Sequence, residues 1–305
     1  MTNWLSRWGV SNSDFPELIL PKLDSDQIQH FINRWHDLTF NIQALKVGKK
    51  ERLQQAIQRD SAIRELAENP VVLMTMAIAN RTEQLPKNKP SLYKKVSEVL
   101  LHQWDLDSTR INHKDKEAML CQVACHIKIA NNGLPNNLIE REDLERILTG
   151  YLENIKVENL WLQEDEITQG RTVARLLIKE LQNHNSLLPL LGTDSYGFVH
   201  QRFLEYFCAL EIVQRFDRRG LEGGLTLEEL KTDVFGKHCK DKSWHEILEL
   251  IAQMIPGGFV DDLIDHLNRT LASLRNSCSE NEKQQIRKVL YNLTILNGEL
   301  IGNEF

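Results

Sequence analysis

Cys121 and Cys125 stand four residues apart with His126 beside the second, so a helix through this stretch would turn two thiols onto one face. Such a pair could begin a zinc site. Tetrahedral zinc needs four ligands, however, and the only other close pair is His238-Cys239. Buried free thiols on a core face are the simpler expectation, and no metal is expected. Arg171, Arg175 and Lys179 recur at every fourth residue, a spacing that could lay three cations along a phosphate backbone. Glu180 and the acidic run just before the stripe would repel that backbone, so a solvated helix face is expected instead. His200, flanked by Phe198, Val199 and Phe203, reads first as a core histidine and second as a ring presented to an anion.

The machinery of common enzymes is missing from these residues. There is no G-x-x-x-x-G-K-[ST], no G-x-G-x-x-G and no G-x-S-x-G, hence no backbone nest for phosphate and no elbow to present a nucleophile. Catalytic residues are therefore not expected. The chain has 15 glycines and 8 prolines in 305 residues, roughly 8% where about 12% is usual. Sandwiches, barrels and propellers need more turn residues than that, which leaves a mainly helical fold. A formal net charge of −6 gives no whole-molecule footprint for nucleic acid. The N-terminus, MTNWLSRWGV, has no apolar core of signal-peptide length, the longest apolar run, Val71 to Ala79, is about half a membrane span, and five cysteines at irregular spacing point to reduced thiols. A cytoplasmic protein without a membrane partner is expected.

Helical periodicity places the elements around these residues. Ile28, Phe31, Ile32 and Trp35 form one face after an N-cap at Asp24 or Ser25. Lys46 and Lys50 bound a basic turn, followed by a helix through Leu53, Ile57, Ile63 and Leu66. Asn69-Pro70 restarts the chain, because asparagine caps well and proline is pre-set for the first helical position. The helix it opens is apolar nearly all round (VVLMTMAIA) and should be buried on several sides. Ser91 should cap a helix carrying Leu92, Val96, Val99, Leu100 and Trp104. Further helices are expected through Met119, Val123 and Ile127, stopped by Asn131-Asn132-Gly133, and through Leu144, Ile147, Leu148 and Tyr151. Residues 160–170 read as an acidic loop, with Thr172 opening a helix whose inner side is Val173, Leu176, Leu177 and Leu181. LLPLL and YGFV around Gly192, Thr193, Asp194 and Ser195 read as a β-hairpin closing a winged helix. Capping boxes Thr226/Glu229 and Ser243/Glu246 then mark a C-terminal helical stack.

Three segments resemble one family in the right order. Residues 59–105 (RDSAIRELAENPVVLMTMAIANRTEQLPKNKPSLYKKVSEVLLHQWD) resemble the helical lid that follows the nucleotide-binding core of NACHT-type STAND signal-transduction NTPases. Residues 196–213 (YGFVHQRFLEYFCALEIV) resemble the family's winged-helix exit motif, F-x-H-x-x-F-x-E-[YF]-[FL]-x-A, with Phe198, His200, Phe203, Glu205, Tyr206, Phe207 and Ala209 on it. Residues 15–36 (FPELILPKLDSDQIQHFINRWH) look like the join between core and lid.

The resemblance implies a switch in which ADP is locked between core, lid and winged helix, and exchange for ATP releases them to oligomerise or signal. By motif position Pro70 matches the lid proline on the adenine and His200 the histidine that reaches the ADP β-phosphate. The family's P-loop, magnesium-holding acid and sensor arginine would precede these segments. The expectation is therefore a truncated or split NACHT protein without its catalytic core: a core or linker remnant over 1–24, a lid domain over 25–105, a winged-helix domain over 106–216 and a helical domain over 217–305. It would bind no cofactor alone, although the parent family binds ADP and ATP with Mg. Its partner would be a P-loop core in cis or in trans, or a second copy. A winged-helix nucleic-acid binder with a helical dimerisation region is the alternative.

Overall fold

The structure, a computed structural model, describes residues 22–59, 61–82, 85–86, 88–102, 111–130, 137–154, 166–184, 187–191, 194–273 and 279–302. In chain order its elements are α1 (Ser25–Thr39), α2 (Gln43–Arg59), α3 (Ser61–Ala67), α4 (Pro70–Thr82), α5 (Lys89–His102), α6 (His113–Ala130), β1 (Leu138–Glu140), α7 (Arg141–Asn154), α8 (Glu166–His184), β2 (Leu190–Leu191), β3 (Ser195–Gly197) and α9 (Gln201–Asp217). Then come α10 (Leu227–Glu229), running into a π-helical turn (Leu230–Gly236), a 3-10 turn (Lys242–Trp244), α11 (His245–Met254), α12 (Gly257–Ser273) and α13 (Glu280–Gly302). The fold is mainly α, as the composition requires. Among the described residues no helix is long and apolar enough to cross a membrane. By packing the chain forms two compact units, Met1–His113 with Leu138–His200, and Lys114–Asn137 with Gln201–Phe305.

The first unit is built on α4, against which α1, α2, α3 and α5 pack. Val72, Leu73, Thr75, Met76, Ala77, Ala79 and Asn80 of α4 are all buried, as an all-round apolar helix must be. Each large side chain taken out of water there stabilises by about 1.5–3 kcal/mol. Thr75 Oγ1 donates to Val71 O at 2.8 Å and Asn80 Nδ2 to Lys49 O at 2.7 Å, while Asn80 Oδ1 is buried without a hydrogen-bond partner. The expected basic turn at 46–50 is part of α2. Asp24 caps α1 in a reciprocal capping box with Gln27. Asn88, not Ser91, caps α5, its Oδ1 accepting from Ser91 N at 2.9 Å. Both residue types cap well and they lie within one turn, so spacing could not separate them. Leu92, Val96 and Leu100 are buried as expected; Trp104 lies outside the described residues.

The same unit carries α7, α8 and a three-stranded antiparallel sheet of order β1-β3-β2. Leu190 pairs with Tyr196 and Leu191 with Ser195, the hairpin the sequence predicts, although Gly192 and Thr193 lie outside the described residues. β1, absent from the sequence reading, pairs Ile139 with Tyr196. From α6 onward the chain order is helix, strand, helix, helix, strand, strand, with α6 from Lys114 on belonging to the second unit. α8 opens at Glu166 inside the expected acidic loop, since carboxylates favour the positive end of a helix. Its buried side is Val173, Ala174, Leu177, Ile178 and Leu181, while Leu176 is 46% exposed, a correction to the expected face.

In the second unit α9 is the most deeply buried helix, with Phe203, Leu204, Tyr206, Phe207, Cys208, Ala209 and Phe216 enclosed. α11 packs on α9 and on α13, and α12 on α13 and the π-helical turn. The Thr226/Glu229 capping box forms as predicted. The Ser243/Glu246 box does not. The helix begins a turn earlier in 3-10 form, so Asp241 caps it, accepting from Ser243 N at 2.8 Å, and Glu246 pairs with Arg202 instead. Glycine is indispensable after α9: Gly220 takes φ +86, and a Cβ on Gly224 would collide with the Arg218 carbonyl.

Candidate functional site

Asn69 connects the two residues that the motifs single out. Its Oδ1 accepts from Val71 N at 3.0 Å and Val72 N at 3.3 Å, and its backbone oxygen accepts from Leu73 N at 2.9 Å. Pro70, half-buried at the first position, has no N–H to satisfy. The free donors of this helix start are thereby used up within the chain. An anion arriving here finds no open backbone cradle of the kind many helix N-termini offer.

The amide of the same side chain reaches across 130 residues, Asn69 Nδ2 donating to Val199 O at 3.2 Å. Val199 in turn donates its N–H to Leu187 O at 2.9 Å, continuing the hairpin pattern beyond β3. The turn before Pro70 and the turn before His200 are thus hydrogen-bonded neighbours within one unit. His200 is half-buried at the end of the hairpin. The turn is also anchored upstream, where Leu23 N donates to Glu68 O at 2.8 Å and Lys22 pairs with Glu68 at 2.9 Å.

No protein-family model matches the chain, and no curated protein is similar to it in sequence. What this junction does must come from its own chemistry. Its residues are a proline and a histidine, both half-buried, beside a helix end already saturated with bonds.

From Phe203 on, the exit motif lies on α9 and has structural work. Phe203, Tyr206, Phe207 and Ala209 are core residues. Glu205, only 3% exposed, accepts from Gln201 Nε2 at 2.8 Å and from Arg202 at 3.0 Å, and Arg202 also holds Glu246 of α11 at 3.2 Å. Burial pushes the Glu205 carboxyl above the usual range, with Arg202 opposing. This buried network ties α9 to α11.

The basic stripe is partly neutralised. Arg171 Nε donates to Glu145 Oε1 at 2.7 Å and Arg175 Nε to the same oxygen at 2.9 Å, so one carboxylate on α7 holds both cations. Arg171 hydrogen-bonding first, then the charge of Arg175, lowers the Glu145 carboxyl against the opposing effect of burial. Lys179 stays exposed on the same helix, and the side chain of Glu180 lies outside the described residues. Nothing in the sequence pointed to Glu145, which sits 26 and 30 residues from its partners.

Among the described residues no group of three or more His, Cys, Asp or Glu side chains could hold a metal ion. Cys121 is fully buried, Cys125 faces Cys208, and His238 stacks on Trp244 with ring centroids 3.7 Å apart. Burial, then the neighbouring Lys237, lowers His238 to about 4, which keeps that imidazole neutral.

Proposed function

We propose that this chain is the regulatory lid and winged-helix portion of a NACHT-type STAND NTPase. It takes no catalytic step itself and couples the nucleotide state of a P-loop core, in cis or in trans, to conformational signalling or oligomerisation. The observation that carries this is the Asn69–Val199 hydrogen bond, which joins the turns bearing Pro70 and His200. Those are the two positions the family resemblance assigns to the adenine and the β-phosphate.

The chemistry fits a reader of nucleotide better than a holder of it. Pro70 gives an adenine a surface with no donor to desolvate, and the His200 imidazole has the chemistry to donate to a phosphate. Neither replaces a P-loop, and the start of α4 has no free N–H to contribute. Contacts formed only in the ADP state would supply the differential affinity that any ligand-driven switch requires. A winged-helix nucleic-acid binder draws less support, because Glu145 claims two of the three cations it would use.

Calorimetry with ADP and with ATP on the 305-residue chain tests the assignment. No binding is expected at micromolar nucleotide. Micromolar affinity that His200→Ala abolishes would show that the chain holds nucleotide by itself and would overturn the proposal.

A further inference from the structure

A different pair of side chains in the second unit points to redox chemistry. Cys125 on α6 and Cys208 on α9 bring their sulfurs to 3.4 Å, the Cys125 thiol directed at Cys208 Sγ and 3.5 Å from its carbonyl oxygen. Both thiols are free. The two helices are separated by 83 residues of sequence between these positions, and each comes from a different segment of the unit, 114–137 and 201–305. The chain between those segments, Leu138–His200, packs in the other unit.

Access is one-sided. Cys125 is partly exposed and lines a cavity of about 990 Å³ together with Lys128, Glu211, Arg215, His238 and Trp244. Cys208 is fully buried, as is Cys121 one turn before Cys125 on the same helix. A small oxidant entering the cavity therefore meets Cys125 first, and the sulfur placed to answer is Cys208. We propose that Cys125 and Cys208 are a peroxide-responsive thiol pair that closes to a disulfide and staples the two segments of this unit together.

The step balances with a hydroperoxide as oxidant. The Cys125 thiolate attacks the peroxide O–O bond, giving a sulfenic acid and releasing water or an alcohol after proton transfer. The Cys208 sulfur then displaces the hydroxyl from the Cys125 sulfur as a second molecule of water, and the S–S bond forms. Two thiols lose two electrons and the peroxide gains them. The sulfurs must close from 3.4 Å to about 2.05 Å for the bond to form. The hydrogen bond to Cys208 and then burial raise the Cys125 thiol well above its ordinary range, so that thiol rests protonated and its reaction with peroxide is slow. This inference does not depend on the nucleotide proposal.

The test treats the folded 305-residue chain with hydrogen peroxide, blocks the remaining thiols with N-ethylmaleimide after denaturation, and maps the peptides by mass spectrometry without reduction. A Cys125–Cys208 cross-linked peptide lighter by two hydrogens is expected, lost on adding dithiothreitol, lost in Cys125→Ser and retained in Cys121→Ser. Because serine in place of the fully buried Cys208 can unfold the helix pair, the deciding comparison is wild type in buffer against wild type in guanidinium. The cross-link should be at least ten-fold enriched over other cysteine pairs only in buffer. Over-oxidation of Cys125 to sulfinic acid without the cross-link, alkylation of both thiols after peroxide, or equal cross-linking in guanidinium would each overturn the proposal.

Discussion

Replacing Asn69 separates the two bonds that hold the candidate site together. Asn69→Ala removes the cap on Val71 and Val72 and the donor to Val199 O in one step. Loss of the cap costs about 1 kcal/mol. Loss of a partly buried amide–carbonyl bond costs about 1 kcal/mol more, and a carbonyl left dry adds to that, so the total is about 2–3 kcal/mol. Asn69→Asp keeps the capping oxygen and places a negative charge at the positive end of α4, which is favourable by about 0.3–1 kcal/mol. It also turns a carboxylate oxygen toward Val199 O, so this variant should lose about 1 kcal/mol net, all of it at the junction. Urea unfolding gives the totals, and amide hydrogen exchange divides them. In Asn69→Asp the amides of Val71 and Val72 should stay protected while that of Val199 exchanges faster. If Asn69→Asp is as stable as wild type with Val199 equally protected, the bond across the 130 residues contributes nothing and the junction is only a helix cap.

Other perturbations have equally definite outcomes. His238 has a folded pKa of about 4 against an ordinary 6.5, so as pH falls from 6.5 toward 4 the unfolded chain takes up a proton that the folded chain refuses, and stability is lost. The shift alone would give a little over 3 kcal/mol; screening at a half-exposed ring reduces this to about 1–2 kcal/mol. His238→Asn should lose that much less between pH 7 and pH 4.5, and an unchanged pH dependence would refute the assignment. The raised carboxyls of Glu205 and Glu211 act in the opposite sense, so the comparison must be made between variants at each pH. Duplex DNA at low salt should give no mobility shift with wild type; a shift weakened by reversing Arg171, Arg175 and Lys179 would restore the nucleic-acid reading. Gly224→Ala should destabilise by about 2 kcal/mol or more through the Arg218 carbonyl, whereas Gly170→Ala, where the added carbon meets only the Glu153 and Thr149 side chains at ordinary distance, should stabilise α8 by about 0.5–1 kcal/mol. Thermal melts of the two distinguish required from replaceable glycine.

Local signals were legible and long-range ones were not. The start of α4 is written in Asn69-Pro70 and its burial in an unbroken apolar run, because capping and amphipathicity act within one or two turns. The hairpin is legible for the same reason. β1 is three residues long and exists only through pairing with β3, some 57 residues on, so no local pattern announces it. Leu176 fits a helical stripe as well as Ala174 does, and tertiary packing alone chose the face. The site residues divide likewise. Pro70 and His200 stand out by motif, but Asn69, which joins their turns, looked like a cap and nothing more. Glu145 and Cys208 acquire their roles from partners on other helices, which spacing along the chain cannot reveal.

Under the function proposed above, Pro70 and His200 would read a nucleotide that a P-loop core holds. The most direct test is the ratio of ADP to ATP affinity, measured for wild type and His200→Ala with a P-loop core supplied in cis or in trans. A charge-assisted hydrogen bond made only in the ADP state predicts a loss of about ten-fold or more in ADP affinity with ATP affinity little changed. Equal affinities for ADP in the two proteins, or equal losses for both nucleotides, would contradict it.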